Sequence, residues 1–406
     1  MQRSLVLALI ACAVSALGRV HFKRASNSST YPSSSTVGPT PKAEWLATYN
    51  AAKAAGKIPD DAPSTLVNGE PEYANGVSSG SDGVCNWSIT NCYGPNDIVE
   101  APAGMYGISF DDGPLPASPA LYAYLQSQNQ TATHFFIGGN IRDNRAIFQQ
   151  AVSSGAQLAV HTWSHPYMTT LNDTAVVGEL GWTAQIIYDL SGFVPAFWRP
   201  PYGDADNRVR AIAEEVFGLT LVGWGEDSND WCLDDSGKDT CSAGEGPANQ
   251  SAIETELRGW QTSTNKSVGI LGLEHELTNY SVDAFIDTYP GIKQNGWDPR
   301  CIPDLLGAAW YLNAERDIFA LNVTVGTGPV NTSSLIVAAE ASSSAAAAAG
   351  AAAATSTPTT AGQTAAFESA PSSSPTRQSS NGEKTFQLRP VAGLAVTAVL
   401  SIAFLA

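Results

Sequence analysis

Two histidines four residues apart, His161 and His165, belong to a chain that contains only five histidines. Pro166 disfavours helical geometry at the residue before it, so we place the pair on a turn after a strand. Two imidazoles and one carboxylate form a three-ligand set that binds a catalytic divalent metal and leaves positions open for water and substrate. The alternative is that the two rings only pack in the interior.

Two adjacent carboxylates, Asp111 and Asp112, follow an apolar run and precede a Gly-Pro pair. Neighbouring carboxylates repel each other unless a cation or hydrogen bonds divide their roles. Taken alone, this segment is typical of an ordinary turn. Three further polar clusters also follow apolar runs, namely residues 197–203 with Arg199, 227–231 with Asp230, and 273–276 with His275. Their common position and the scarcity of histidine favour one shared site.

Apolar β-rich runs alternate with helical stretches between about residue 94 and residue 325. The pattern predicts strands at residues 105–110, 133–137, 158–161, 197–198, 219–224 and 268–273, and helices at residues 119–128, 141–153, 174–189, 207–217, 250–261 and 281–294. Such alternation implies parallel strands covered by helices, hence an α/β sheet or barrel. In these folds the chemistry lies at the carboxyl ends of the strands, where all five clusters fall.

This ordered set of motifs resembles the polysaccharide deacetylase family, carbohydrate esterase family four with its NodB homology domain, and within it the fungal chitin deacetylases. The resemblance covers roughly residues 100–310, and the segment His-Thr-Trp-Ser-His-Pro at 161–166 is its strongest motif. Ser109 occupies a position where threonine is commoner. The resemblance implies a distorted, incomplete (β/α) barrel that hydrolyses N-acetyl groups of chitin to give chitosan and acetate.

The resemblance also implies a role for each site residue. Asp112, His161 and His165 would hold a divalent metal, zinc first and cobalt second, which lowers the pKa of bound water and polarises the acetyl carbonyl. Asp111 would be the general base. Arg199 would pair with Asp111 and aim it.

The remaining roles concern the leaving group and the acetyl group. His275 would protonate the departing nitrogen, and an acidic partner, Asp230 as first choice with Asp227 as the alternative, would raise its pKa. The main-chain N–H of Tyr202 would stabilise the oxyanion. Apolar walls around the acetyl methyl would come from Trp231 and Leu273.

The charge balance limits the classes of partner that the protein can bind. The 406 residues include 21 Lys and Arg against 38 Asp and Glu, a formal net charge of −17. A sequence-independent nucleic-acid binder needs clustered cations, so this composition disfavours nucleic acid and electrostatic binding to anionic lipid. An acidic protein suits a neutral or cationic ligand, and the polymer of N-acetylglucosamine that the resemblance implies is neutral. We also expect the protein to be a monomer.

The beginning of the chain predicts export. Residues 1–18 combine Arg3, an apolar run and small residues, the layout of a secretory signal peptide. Residues 19–93 are then an N-terminal extension, partly disordered because residues 25–40 are rich in Ser, Thr and Pro. The catalytic domain follows at residues 94–325.

The other end predicts a lipid anchor. Residues 333–380 are rich in Ser, Thr and Ala without an apolar face, which is typical of a stalk. Residues 382–406 combine a polar spacer with an uncharged apolar tail, the pattern of a GPI-attachment propeptide with Asn381, or else Ser380, as the lipidated residue. The alternative is a short membrane anchor. In either case we expect a cell-surface protein of the plasma membrane or cell wall.

Cysteines and glycosylation sequons agree with an oxidising compartment. Cys232 and Cys241 could close one loop, and Cys85 or Cys92 could reach Cys301. One of these five thiols is left over, and the spacing does not determine the connectivity. Sequons that predict heavy glycosylation begin at Asn27, Asn86, Asn129, Asn172, Asn249, Asn265, Asn279, Asn322 and Asn331.

Other functions remain open at this point. Peptidoglycan deacetylases and acetylxylan esterases carry the same motifs. An alternative of a different class is a non-catalytic glycoprotein of the cell wall that only binds chitin. The presence of Asp111 and His275 argues against it, since loss of either would have supported that alternative. The sequons, the stalk and the tail favour a fungal surface, where chitin is the abundant acetylated polymer.

Overall fold

The computed structural model describes residues 30–241 and 246–336. The predicted signal peptide, nearly all of the stalk, the GPI segment, Asn27 and Asn381 lie outside these residues. Helices are α1 (Ala43–Ala54), α2 (Trp87–Thr90), α3 (Ser118–Ser127), α4 (Gly138–Asp143), α5 (Arg145–Ser154), α6 (Asp173–Ser191), α7 (Asn207–Phe217), α8 (Gln250–Gln261), α9 (Asn279–Gln294) and α10 (Ile302–Leu306). Strands are β1 (Thr65–Val67), β2 (Glu70–Glu72), β3 (Met105–Gly107), β4 (Ser109–Asp111), β5 (Thr133–Phe136), β6 (Gln157–Val160), β7 (Phe197–Trp198), β8 (Thr220–Leu221), β9 (Glu226–Asp227), β10 (Ile270–Leu273), β11 (Asp298–Arg300), β12 (Ala314–Glu315) and β13 (Ile318–Phe319).

Two parallel sheets form the centre of the fold. One has the order β4-β5-β6-β7-β8 and the other β11-β3-β10-β9. Residues 105–111 supply β3 to one sheet and β4 to the other, and Asp111 also pairs with His275, so the sheets are joined. The predicted α/β class with an incomplete barrel is confirmed, since among the described residues no strand pairing connects β8 to β9.

Local sequence explains the central elements. Every side chain of β5 and β6 is buried, and the strands end in the apolar runs Phe135-Phe136 and Leu158–Val160, as expected for parallel strands covered on both faces. The long helices begin at polar caps: Asn172 accepts a hydrogen bond from the amide of Ala175 at the start of α6, and Asp206 accepts one from Val209 at the start of α7. Glycines in the left-handed conformation end both helices.

Several predicted elements differ in the structure. Residues 105–110 form two short strands, and the helix at 141–153 is divided at Asn144, whose backbone is not helical. The strand expected at 219–224 is reduced to β8. β9 and β11 were not predicted, because their sequences, Glu-Asp and Asp-Pro-Arg, contain no apolar run and form strands only beside β10 and β3.

Residues 30–93 pack on the barrel, in contrast to the partly disordered extension that the composition suggests. Trp45 of α1 is 1% exposed and makes an edge contact with Trp182. Trp87 of α2 lies 4.3 Å from Trp224 between ring centroids. A few large aromatic rings bury enough apolar surface to hold a segment that is otherwise rich in Ser, Thr and Pro.

The disulfides agree with the expectation in part. Cys232 pairs with Cys241, as predicted, and Cys85 pairs with Cys92. No bond joins Cys85 or Cys92 to Cys301, which is free and buried. The two cysteines seven residues apart have Cα atoms only 5.0 Å apart, so they close their own loop.

Most described sequons are accessible. The exposed asparagines are Asn129, Asn172, Asn249, Asn265, Asn279, Asn322 and Asn331. Asn86 differs from the expectation, because it is fully buried and its Nδ2 donates to Asp204 and to Tyr73. This fold leaves no room for a glycan there. Within the described part of the chain, no helix is long and apolar enough to cross a membrane.

Candidate active site

The polar clusters meet at one edge of the barrel. Asp111 is the last residue of β4, His161 follows β6, and Arg199 follows β7. His275 lies two residues beyond the end of β10, beside Asp111 in the pairing of the two sheets. Because parallel strands end at the same edge, these side chains converge although they are far apart in sequence.

Asp112, His161 and His165 form a potential metal site. Nε2 of His161 and Nε2 of His165 lie 3.3 and 3.4 Å from Oδ1 of Asp112. One ligand atom from each residue lies within 4.8 Å of the others. Oδ1 of Asp112 is buried without a hydrogen-bond partner. A cation bound between the two nitrogens would satisfy this oxygen, so the residues fit a divalent metal.

A backbone contact fixes the orientation of His161. Nδ1 of His161 lies 2.7 Å from the carbonyl oxygen of Arg199. A carbonyl can only accept, so Nδ1 carries a hydrogen and the ring is oriented with Nε2 towards Asp112. The ring is therefore held as a ligand before any metal binds.

Electrostatics favour the ligating form of His165. Burial lowers the pKa of His165 to about 4, and the charge of Asp112 offsets this effect only in part. Burial on its own would raise the pKa of Asp112, but His165 and His161 outweigh it and hold that pKa well below the usual range. At neutral pH the site thus contains a carboxylate beside a neutral imidazole.

Asp111 also faces the potential metal site, but its contacts differ from those of Asp112. Nη1 of the fully buried Arg199 donates to Oδ1 of Asp111 at 2.8 Å. Oδ2 of Asp111 lies 3.8 Å from Nε2 of His161. The other guanidinium donors bind Oγ of Ser109 and the carbonyl oxygens of Val222 and Gly223. Arg199 is thus fixed at every donor group, and it fixes Asp111 in turn.

His275 and Asp230 form a buried pair. The main-chain N–H and Nδ1 of His275 lie 2.8 and 2.7 Å from the two carboxylate oxygens of Asp230. Burial would lower the pKa of His275, but the charge of Asp230 outweighs it and raises that pKa to about 10. The ring is therefore a cation at neutral pH. Asp227 instead accepts the main-chain N–H of Asn229 at 2.8 Å, within its own turn.

Of three further predicted residues, Tyr202 contacts the site, whereas Leu273 and Trp231 are neighbours in sequence of the His275 and Asp230 positions. Tyr202 is about half exposed, stacks on Tyr167 with centroids 4.0 Å apart, and makes an edge contact with His165. Leu273 is buried, whereas Trp231 is 46% exposed. The structure thus brings all the predicted catalytic and metal-binding residues to one edge.

The backbone at this edge is strained. Residues with positive φ are Asp112, Thr162, His165 and Tyr202, at 72°, 64°, 61° and 58°. Each such residue other than glycine costs on the order of 1–3 kcal/mol. Strain of this kind persists only where surrounding contacts hold the backbone, which is the case for Asp112, whose carbonyl oxygen accepts from Nδ2 of Asn140 at 2.7 Å.

Sequence reasoning missed two supporting residues, Asn140 and Glu179. Glu179 is fully buried and binds the segment between the two metal-site histidines. One signal could have revealed it, since it is a lone carboxylate in the apolar stretch at residues 176–181 of α6. Nothing in the local sequence distinguishes Asn140.

Comparison with known proteins matches residues 99–222 to the family described as polysaccharide deacetylase. Chitin deacetylase 3 of Cryptococcus neoformans var. neoformans serotype D is 43% identical over 64% of this chain and 62% of its own length. Chitin deacetylase 1 of Saccharomyces cerevisiae is 33% identical over 52% of this chain and 70% of its own length. The solved chitin deacetylase of the fungal pathogen Colletotrichum lindemuthianum is 20% identical, with a TM-score of 0.46 over 53% of this chain and 94% of that one. The chain therefore spans less than two thirds of the Cryptococcus relative.

Proposed function

The chain belongs to the polysaccharide deacetylase family, and we propose that it is a metal-dependent chitin deacetylase that hydrolyses N-acetyl groups of chitin to chitosan and acetate. One observation carries the proposal: Asp111, bound by Arg199, pairs with a cationic His275 beside the Asp112, His161 and His165 site. Hydrolysis of an amide needs one group that accepts a proton and another that donates one.

Asp111 is the base in this proposal. Its Oδ1 is bound by Arg199, while Oδ2 faces His161, so Oδ2 accepts the proton of the attacking water. The proton then lies on a carboxyl group that Arg199 continues to orient. Arg199 itself is too fully engaged with protein acceptors to contact substrate.

His275 is the acid. A pKa of about 10 keeps its ring protonated at neutral pH, and Asp230 occupies Nδ1, so Nε2–H is the group that donates to the departing amine nitrogen. The main-chain N–H of Tyr202, in a turn of positive φ, would hold the developing oxyanion. Leu273 and Trp231 would contact the acetyl methyl.

Zinc is the metal we propose for Asp112, His161 and His165, with cobalt as a substitute, because a mixed imidazole and carboxylate set suits both ions. When bound, the ion would supply Lewis acidity towards the attacking water and the acetyl carbonyl. The three protein ligands leave open positions for this purpose. The site is built from one chain, and we propose that the protein acts as a monomer.

Chitin is the substrate that the relatives support. The named relatives of this chain are fungal chitin deacetylases at 33–43% identity. The competing substrates are peptidoglycan glycan and acetylxylan, which need the same chemistry at the acetyl group. A surface rich in carboxylates also suits the cationic glucosamine product.

The test is acetate release by the purified chain from N-acetylglucosamine oligomers of defined length, with products weighed by mass spectrometry. We expect each deacetylated sugar to lose the mass of one acetyl group and gain that of one hydrogen. Chelation should abolish acetate release, because the chelator removes the ion that would activate the water and the acetyl carbonyl. Added Zn²⁺ or Co²⁺ should restore it. Full activity in metal-free protein would contradict the metal assignment. Activity on acetylxylan or peptidoglycan but not on chitin oligomers would contradict the substrate.

We also propose that the protein is secreted and held at the cell surface by a GPI lipid at Asn381. Two disulfides among the described residues support an oxidising compartment. In a eukaryotic host, phosphatidylinositol-specific phospholipase should release the full-length protein from membranes, and truncation before Val391 should send it into the medium. Retention after lipase treatment, with residues 391–406 still attached, would mean that the anchor is a short span.

A further inference from the structure

We propose that Glu179 is a positioning residue for the metal site, and that an N-terminal arm, residues 30–41, takes part through it. The inference rests on the proposed function, since it concerns the same metal site. Glu179 lies within α6 and contacts none of the three ligands directly. It acts on them through the segment that joins His161 to His165.

The carboxylate of Glu179 accepts hydrogen bonds from that segment and from the arm. Oε2 accepts the main-chain N–H groups of Trp163 and Ser164 at 2.7 and 2.9 Å. Oε1 accepts the hydroxyl of Ser164 and the main-chain N–H of Gly38, both at 2.7 Å. Four donors occupy the lone-pair positions of one fully buried carboxylate.

The arm also binds the same segment independently of Glu179. The carbonyl oxygen of Ser33 accepts the indole N–H of Trp163 at 2.8 Å. The ring of Tyr31 stacks on Trp163 at 6.3 Å, and its hydroxyl donates to Asp189 near the end of α6. The arm thus connects the segment between the histidines to both the middle and the end of α6.

The arm and the segment between the histidines pack closely against α6 and α4. A Cβ at Gly178, next to Glu179, would lie 1.8 Å from the carbonyl oxygen of Pro39 in the arm. A Cβ at Gly138 would lie 2.4 Å from the ring of Trp163. Glycine is therefore required where the arm crosses α6 and where Trp163 meets α4.

Burial of the Glu179 carboxylate costs desolvation free energy, which its hydrogen bonds must offset. Among the described residues no ion pair involves Glu179, so hydrogen bonds alone compensate its charge. Thr162 and His165 have positive φ, and the segment would relax towards ordinary backbone angles if its amides were released. The distance between the two imidazole ligands would then change. Residues that orient metal ligands typically contribute a factor of about 10–100 to metal affinity.

The test measures zinc affinity of the metal-free full-length chain by competition with a chromophoric chelator, beside the absorption spectrum of the Co²⁺-loaded protein. Glu179→Gln keeps the size of the side chain but cannot accept four donors, and should weaken zinc binding by about 10–100-fold and change the cobalt spectrum. Tyr31→Ala, which leaves Glu179 in place, should weaken zinc binding by a smaller factor in the same direction.

The matched control is Asp97→Asn. Asp97 is also a buried carboxylate, bound by Arg210 at 2.7 Å and by the N–H of Gly94 at 2.8 Å, without a contact to residues 161–165. This variant should lower the melting temperature but leave zinc affinity within about twofold.

Two results would overturn the inference: Glu179→Gln and Tyr31→Ala with wild-type zinc affinity and cobalt spectrum, or Asp97→Asn with an equal loss. A wild-type chain that binds no zinc would instead overturn the metal assignment of the proposed function.

Discussion

The candidate active site contains two carboxylate–histidine arrangements with opposite electrostatics. In one, Asp112 faces His161 and His165, and burial lowers the pKa of His165 to about 4. In the other, Asp230 binds His275 alone, and its charge raises the pKa of His275 to about 10 despite burial. The same two residue types therefore carry a neutral ring at one end of the site and a cationic ring at the other.

The difference lies in how each carboxylate is used. Both oxygens of Asp230 accept hydrogen bonds from the single residue His275, which stabilises the imidazolium. Oδ1 of Asp112 has no donor and is shared by two rings that repel each other when charged. Neutral imidazoles can bind a metal, and a protonated one can donate, so the contacts around each carboxylate assign its task.

The largest expected effect comes from breaking the first arrangement. His161→Ala removes a ring that Arg199 already orients, and should abolish both metal binding and acetate release. Elemental analysis of the purified variant beside an activity assay checks this. Retention of stoichiometric metal with loss of activity would show that His161 serves in proton transfer instead of ligation.

The next effect separates proton transfer from ligation. Asp111→Asn and His275→Ala should each lower turnover by about 10²–10⁴ while the metal stays bound, because positioned acid–base groups contribute that range. Metal content and single-turnover acetate release are measured on the same samples. Asp111→Asn conserves size and shape, so near-normal turnover, or a preparation without metal, would mean that the roles of Asp111 and Asp112 are exchanged.

A smaller effect, on the pH dependence of kcat/KM, tests the His275–Asp230 pair. The wild-type kcat/KM should decline as the pH rises through about 10, where His275 loses its proton. Asp230→Asn removes the charge but not the burial, so this decline should move down to pH 6.5 or below, about the ordinary pKa of histidine or less. Asp227→Asn is the matched control and should shift it by less than about one unit. An equal shift in both variants would mean that Asp227 shares the role.

The pH dependence of folding stability should also depend on the His275–Asp230 pair. The pKa of His275 is raised in the folded chain, so the native state binds more protons than the unfolded chain between about pH 6.5 and 10. The stabilisation is therefore fully present below pH 6.5 and is lost as the pH rises towards 10. The Asp230→Asn variant should lack this slope in denaturant titrations.

The sequence alone determined the fold class and the composition of the site. Strand–helix alternation predicts parallel strands, and parallel strands bring their carboxyl ends to one edge, so the sequence alone predicts that Asp111, His161 and His275 lie together. Helices α7 and α8 have the predicted bounds, because caps and periodicity are local signals.

Only the tertiary structure decided the features that depend on contacts between distant residues. It distinguished Asp230 from Asp227 by a hydrogen bond across 45 positions of sequence, and it paired Cys85 with Cys92 while it buried Cys301. It also placed the arm on Glu179 across 141 positions. Residue types and periodicity can be read from a short stretch of sequence. Burial, charge pairing and the resulting pKa shifts depend on residues that come into contact only when the chain folds.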